Sequence, residues 1–140
     1  MIIQVKKLDE EAVVPKFALQ GDAGMDLCSV ENFVLKPGER RSVKTGIAVK
    51  IPEGYVGLIW DKSGISHKFG IKTLGGVIDS NYTGEWLIGL VNLGTDNFEI
   101  KKGQKIAQVL FQKIESPEIQ VVDELLETNR KDGGFGSTGL

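Results

Sequence analysis

The chain has 140 residues, of which 41% are hydrophobic and 26% charged, the size and composition of one ordinary globular domain. Its formal net charge is −2, so we expect no nucleic-acid polymer as a partner, because proteins that bind one usually carry a strongly positive face. One cysteine and one histidine leave too few nitrogen and sulfur ligands for a zinc site. Any metal is therefore expected to bind oxygen ligands, which favours magnesium or calcium.

The sequence pattern favours a cytoplasmic protein. Residues 1–7 lack the long apolar run of a signal peptide, and no later stretch approaches the length of a membrane span. The single cysteine, Cys28, cannot form an intrachain disulfide, as is usual in a reducing compartment. Because no stretch is long enough to span a membrane, we expect no membrane partner.

Short apolar runs separated by glycines predict a protein made mainly of strands. The 18 glycines are about twice the average usage, and they lie between the runs. From residue 42 to 51 the apolar side chains fall on alternate positions, the period of a half-buried strand. The run at 86–93 is apolar on both faces, which predicts a strand covered on both sides. The predicted strands are residues 2–8, 42–51, 55–60, 86–93 and 105–114.

Helical signal is limited to one short segment. Residues 64–69 are predicted to form a helix with Ser63 as its N-cap and Gly70 at its end. Residues 121–126 fit either a turn of helix or an edge strand. The pattern predicts an all-β, jelly-roll-like β-barrel at residues 1–128, with one short helix, followed by a flexible glycine-rich tail at 129–140.

The segment at residues 75–84 places a carboxylate beside an aromatic ring. Two apolar residues lead into Asp79, a polar turn follows with Tyr82 and Gly84, and an apolar strand begins near Trp86. This order predicts a β-hairpin with Asp79 and Tyr82 at its mouth. Two roles for Asp79 stay open: a turn residue bonded to its own backbone, and a general base that activates water at a phosphorus atom.

Three further positions have both a structural and a functional interpretation. Ser63 either caps the helix or, with Lys62, binds an anion at its start. Asp26 follows a glycine turn, where it either caps a strand end or holds the water shell of a magnesium ion. Gln108 on its strand is either a satisfied polar group at a sheet edge or a ligand contact.

The tail also has two interpretations. By composition it is a frayed terminus, with a single aromatic residue, Phe135, among glycines. Alternatively it is a lid that orders on a ligand, since glycines allow close backbone approach, Arg130 can pair with an anion and Phe135 can stack on a ring.

Five short motifs occur in an order that resembles the trimeric all-β dUTP pyrophosphatases. They are Ala-Gly-Met-Asp-Leu at 23–27, Lys-Ser-Gly at 62–64, Gly-Val-Ile-Asp-Ser-Asn-Tyr-Thr-Gly at 76–84, Lys-Ile-Ala-Gln at 105–108 and Arg-Lys-Asp-Gly-Gly-Phe-Gly-Ser-Thr-Gly at 130–139. The resemblance implies a jelly-roll homotrimer with active sites at the subunit interfaces. It also implies hydrolysis of dUTP to dUMP and pyrophosphate with Mg²⁺, which keeps uracil out of DNA.

The resemblance assigns roles to individual residues. Asp79 would deprotonate the water that attacks the α-phosphorus, Asp26 would hold magnesium through water, and Tyr82 would stack beneath the deoxyribose and exclude ribonucleotides. The other substrate-binding positions are Gly76, Val77, Ile78 and Leu87 around the uracil; Lys62, Ser63, Gly64 and Gln108 at the phosphates; and the tail residues Arg130, Phe135, Gly136, Ser137 and Thr138, of which Phe135 would stack over uracil.

The chain departs from the family pattern at a few positions. Met25 replaces an aromatic residue, Lys131 replaces a glycine, and Lys62 and Lys105 replace the usual arginines. A lysine is a point charge without the bidentate fork of arginine, so we expect looser phosphate orientation at Lys62.

Other functions fit the sequence less well. A dCTP deaminase, which shares the fold, carries a catalytic Glu at the position of Gly89, and without it no carboxylate is available to shuttle protons. A Ser–His–Asp triad around His67 lacks the Gly-x-Ser-x-Gly elbow. A non-catalytic or regulatory nucleotide-binding protein stays open, although the presence of Asp79, Tyr82 and Phe135 favours catalysis.

Overall fold

The computed structural model describes residues 1–128, which form strands and one short helix, as the all-β prediction requires. All five predicted strands are present, with ends within two residues of the prediction. Five others have only two to four residues, too few to show a period in the sequence. The strands are β1 Gln4–Lys7, β2 Met25–Cys28, β3 Phe33–Leu35, β4 Arg40–Lys50, β5 Tyr55–Asp61, β6 Ile71–Leu74, β7 Val77–Ile78, β8 Glu85–Asn92, β9 Phe98–Ile100 and β10 Lys105–Lys113.

Two four-stranded antiparallel sheets enclose one apolar core. Their strand orders are β1-β4-β8-β6 and β2-β10-β5-β7, and β3 and β9 form a separate ribbon. Trp86 of β8 is completely buried, and its ring lies 6.4 Å from that of Phe111 on β10, so side chains of the two sheets meet in the core. The largest fully buried residues are Trp86, Leu27, Leu35, Ile47, Ile51, Ile71, Ile88, Leu90, Ile100, Ile106, Val43 and Val49.

A bulge in β4 determines which of its residues enter the core. The pairing of β4 with β8 shifts between Lys44 and Ala48, and Gly46 in this interval has a φ of 67°, a conformation that favours glycine. The hydroxyl of Thr45 is buried there and donates a hydrogen bond of 2.6 Å to the carbonyl of Trp86. The polar group is therefore satisfied inside the barrel wall.

The outer face of β8 differs from the prediction. Trp86, Ile88 and Leu90 point into the core, but Leu87 between them is 48% exposed. The expectation that residues 86–93 are covered on both faces is therefore wrong for the single chain. The apolar outer face is open to solvent or to another chain.

The segment around Asp79 is not the simple hairpin that the sequence predicts. β6 pairs with β8 in one sheet, whereas β7 pairs with β5 in the opposite sheet. The chain crosses between the sheets at Gly75 and Gly76, whose φ values of 70° and 122° favour glycine. It returns through a turn in which the amide of Tyr82 donates to the carbonyl of Asp79 over 3.1 Å.

The helix, α1, spans Ser63–Phe69 and ends at Gly70, whose φ is 71°. The prediction of Ser63 as N-cap is wrong: Lys62 is the N-cap and makes no side-chain cap bond, because its backbone is extended while Ser63 is already helical. Residues 121–126 form neither of the predicted elements. Across residues 1–128, no helix has the length and apolar character needed to cross a membrane.

We predict that Asn92→Ala lowers the free energy of unfolding by about 3 kcal/mol. The buried Asn92 amide donates to the carbonyls of Leu35 and Asp96 at 2.9 and 2.8 Å, and its oxygen accepts from the amide of Gly94 at 2.8 Å. Urea unfolding at one fixed protein concentration measures the change. The exposed Asn97→Ala is the matched control and should stay within about 0.5 kcal/mol of wild type; equal effects of the two variants would contradict this account of Asn92.

Candidate active site

Three separate motifs meet at the buried carboxylate of Asp26. Asp26 lies on β2, opposite Gln108 of the neighbouring β10, and is 5% exposed. Its Oδ1 is 2.6 Å from the ammonium of Lys62, which follows β5, and its Oδ2 is 2.6 Å from that of Lys105, which begins β10. One carboxylate thus joins two ammonium groups from segments that are distant in sequence. We call Asp26, Lys62 and Lys105 the ion triad.

The ion triad is charged at neutral pH. Burial alone would raise the pKa of Asp26, but hydrogen bonds and charge from Lys105 and Lys62 outweigh it, so the pKa lies below the ordinary value of 3.8. The same contact raises the pKa of Lys105. The triad carries two positive charges and one negative charge, and so has a net attraction for anions.

Gln108 is fixed beside the ion triad by two features of the backbone. Its Nε2 donates to the carbonyl of Asp61 over 2.9 Å, and a Cβ at Gly24 would lie 2.4 Å from its Oε1. The glycine of the first motif therefore leaves room for this side chain. β10 lies between β2 and β5, so the interpretation of Gln108 as a polar group at a sheet edge is wrong.

A pocket of about 410 Å³ opens beside the ion triad. Trp60 lines it and is 54% exposed, an unusual position for a tryptophan without a partner in the chain's own core. Ser63 and Gly64 are exposed at the start of α1, next to Lys62. The lining residues are Asp22, Ala23, Gly24, Asp26, Trp60, Asp61, Lys62, Gln108 and Leu110.

A second pocket, of about 450 Å³, has Asp79 in its wall. Asp79 is exposed on its turn, and the ammonium of Lys50 holds this turn by donating to the carbonyl of Ser80 over 3.1 Å. Tyr82 is 44% exposed, and its hydroxyl donates to the carbonyl of Glu85 over 2.9 Å. The catalytic candidate and the aromatic candidate therefore lie on one braced turn.

The predicted uracil-binding residues lie close to this turn. Val77 and Leu87 are exposed, and Ile78 is half-buried, opposite Gly57. The carbonyl of Gly76 already accepts a hydrogen bond of 2.7 Å within the chain, from the amide of Ile59.

The two pockets lie at opposite ends of β5. Gly57 is paired with Ile78, so Asp79 comes alongside Val56, and Tyr55 and Val56 line the pocket of Asp79. Lys62 follows the other end of the strand, six residues from Val56. At about 3.3 Å per residue in a strand, this separates the two groups by about 20 Å within one chain.

The described residues contain no group of three or more His, Cys, Asp or Glu side chains that could hold a metal ion. Asp26 is committed to two lysines, so it fits a contact to the water shell of a magnesium ion better than direct coordination. An ion carried by phosphate oxygens would meet this requirement.

The remaining predicted site residues, Arg130, Phe135, Gly136, Ser137 and Thr138, lie outside the described residues. Conversely, the structure brings Lys105, Trp60 and Asp22 to the first group and Lys50 to the second. In the sequence, Lys105 stands out only as a departure from the family pattern. Its opposite charge to Asp26 is a signal, but only the pairing of β2 with β10 brings the two residues together.

Two sheets that carry a cationic cluster and a braced, exposed carboxylate fit an all-β enzyme that acts on a phosphorylated substrate. The dUTPase family model matches residues 10–139. The chain belongs to the dUTPase family.

Individual relatives lead to the same family. The deoxyuridine 5'-triphosphate nucleotidohydrolases of Clostridium kluyveri and Paramecium bursaria Chlorella virus 1 are 45% and 46% identical to this chain, covering 99% and 97% of it and 99% and 96% of their own lengths. The Staphylococcus bacteriophage 80alpha dUTPase with dUPNHPP superposes with a TM-score of 0.90 at 34% identity, with 99% of each chain covered. A mutant of the dUTPase from phage phi11 of S. aureus, described with a structural Mg(II) ion, gives 0.85 at 32% identity over 91% of this chain and 100% of that one.

Proposed function

We propose that this member of the dUTPase family hydrolyses dUTP to dUMP and pyrophosphate, with Asp79 as the general base. The observation that carries the proposal is the exposed carboxylate of Asp79 on a turn that Lys50 braces, within the segment that matches the family's third motif. An ionised, exposed carboxylate accepts a proton from water at little reorganisation cost when its turn is fixed. Removal of dUTP would keep uracil out of DNA.

Tyr82 and the neighbouring backbone select the nucleoside. The hydroxyl of Tyr82 is engaged with Glu85, which fixes its half-exposed ring where a deoxyribose can stack and a 2′-hydroxyl would collide. Backbone groups at Gly76, Val77, Ile78 and Leu87 recognise the uracil edge. A cytosine there would leave buried donors and acceptors unpaired.

The first pocket receives the phosphates. Lys62, Ser63, Gly64 and Gln108 bind them, and the tail residues Arg130, Gly136, Ser137 and Thr138 close over them while Phe135 stacks on uracil. Asp26 would hold magnesium through bound water, and the ion would supply charge neutralisation at the phosphates. In this proposal residues 1–128 are the catalytic domain and 129–140 its closing segment.

The geometry of β5 supports the proposal of a homotrimer with active sites at its subunit interfaces. The three phosphates of dUTP lie within a few ångströms of one another. In one chain, however, Asp79 and the ion triad are about 20 Å apart. Asp79 of one copy therefore acts with the ion triad of another copy. The open outer face of β8 and the exposed apolar residues of the C-terminal segment, Ile119, Val121, Leu125 and Leu126, offer surface for this association.

Deamination of dCTP is disfavoured by the surroundings of Gly89. A Cβ at this position would lie 3.0 Å from the carbonyl oxygen of Leu74 on the neighbouring strand β6, so a glutamate there would require β6 to move. The cytoplasm is the compartment we propose, on the basis of the single, buried Cys28.

We predict that Asp79→Asn lowers kcat for pyrophosphate release from dUTP in magnesium by about 10²- to 10⁴-fold, because the amide cannot accept the proton. The affinity for the unhydrolysed analogue dUpNHpp should change little. Asp123→Asn, at an exposed position outside both pockets, is the matched control and should keep wild-type turnover. Turnover by Asp79→Asn at the wild-type rate, or a wild type that releases no pyrophosphate, would refute the proposal.

Deletion of residues 130–140 should leave the melting temperature of the protein nearly unchanged and reduce turnover of dUTP strongly. The phosphate and uracil contacts assigned to the fifth motif are lost, whereas the described core lies within residues 1–128. Steady-state kinetics and thermal unfolding of the same preparation give both quantities. A truncated chain with full activity would show that the fifth motif takes no part in catalysis.

A further inference from the structure

We propose that Asp26 is an internal counter-ion which occupies Lys62 and Lys105 in the empty enzyme and which the substrate phosphates must displace. The consequence is a preference for the magnesium complex of the nucleotide over the metal-free nucleotide. This inference rests on the proposed function and assigns Lys105 to the phosphate site.

The contacts around the first pocket show why phosphate and Asp26 compete. Both ammonium groups lie at 2.6 Å from oxygens of the same carboxylate, and each lysine therefore already has an anion in contact. An arginine could hold a carboxylate and a phosphate through different edges of its fork, whereas a lysine ammonium is a compact point charge. Each ammonium has three N–H donors, so a phosphate can reach it, but the phosphate competes with Asp26 for its charge and is repelled by that carboxylate.

The ion-paired residues around this pocket carry three positive charges and two negative ones. Asp26 faces Lys62 and Lys105, and Asp61 faces Lys72 at 2.8 Å. A highly charged triphosphate thus meets three lysine charges, of which all but one are already neutralised by Asp26 and Asp61.

Displacement leaves Asp26 in an unfavourable position. The residue is buried, and a buried carboxylate that loses its partners is strongly destabilising. Magnesium bound with the phosphates would supply a positive charge that Asp26 could contact through water. The metal-free nucleotide cannot do this, so Asp26 penalises it selectively.

The test is isothermal titration calorimetry of the full chain with dUpNHpp, in EDTA and in magnesium. In Asp26→Asn, which keeps the shape and removes the charge, metal-free dUpNHpp should bind about tenfold tighter than in wild type, equivalent to about 1.4 kcal/mol. The factor by which magnesium improves binding should fall correspondingly. Thermal unfolding of each variant verifies that it is folded.

Asp22→Asn is the matched control. It removes the same charge from the lining of the same pocket. Among residues 1–128, however, Asp22 makes no ion pair with a lysine. Its carboxylate accepts a hydrogen bond of 2.8 Å from the amide of Leu19. We expect the affinity of Asp22→Asn for metal-free dUpNHpp to stay within about twofold of the wild-type value, since exposed charges are well screened. An equal gain in both variants would overturn the proposal in favour of a general charge effect.

Lys105→Arg provides a second arm that keeps Asp26. If arginine can hold Asp26 and a phosphate together, the affinity of Lys105→Arg for metal-free dUpNHpp should also rise. If Asp26→Asn binds metal-free dUpNHpp no more tightly than wild type does, the proposal is overturned. If Asp26→Asn fails to fold, the same result in Lys105→Arg overturns it. Failure of wild type to bind dUpNHpp even in magnesium would instead refute the proposed function.

Discussion

Strand β5 carries the two halves of the candidate site at its opposite ends, and the rest of the structure is arranged around this spacing. Tyr55 and Val56 border the pocket of Asp79, while Asp61 leads directly into Lys62 and the ion triad. Because β5 is a regular strand paired along its length with β10, the separation cannot shorten without breaking the sheet. This spacing is the basis of our proposal that one site combines residues of two chains.

The same rigidity explains how a small domain fixes polar groups accurately. Asp26 and Gln108 are opposite each other on β2 and β10, and Gln108 reaches the backbone of Asp61 on β5. These interactions lie on adjacent strands over a closely packed core, which has low compressibility. On the other side, Lys50 at the end of β4 supports the turn that carries Asp79. Each half of the candidate site is thus held by neighbouring strands.

Sequence reasoning predicts the long strands and the family motifs, but not how the motifs meet. Residues 42–51 have enough length for alternation to be visible, whereas β7 has two residues and is defined only by its partner β5. For that reason the sequence predicts a hairpin with β8 for the Asp79 segment, although the chain crosses to the other sheet. Ser63 has the chemistry of an N-cap, but the backbone of Lys62 fills that position. The importance of Lys105 depends on a contact with Asp26 between strands distant in sequence.

The central claim, that one site combines Asp79 of one chain with the ion triad of another, is tested most directly by complementation. Asp79→Asn and Lys62→Met chains, each inactive alone, are unfolded together, refolded as a mixture, and assayed for pyrophosphate release from dUTP. With random association, about a quarter of the sites would combine an intact Asp79 with an intact Lys62 from a different chain. The account therefore predicts recovery of about a quarter of wild-type activity in an equal mixture. A mixture no more active than its two components would contradict it.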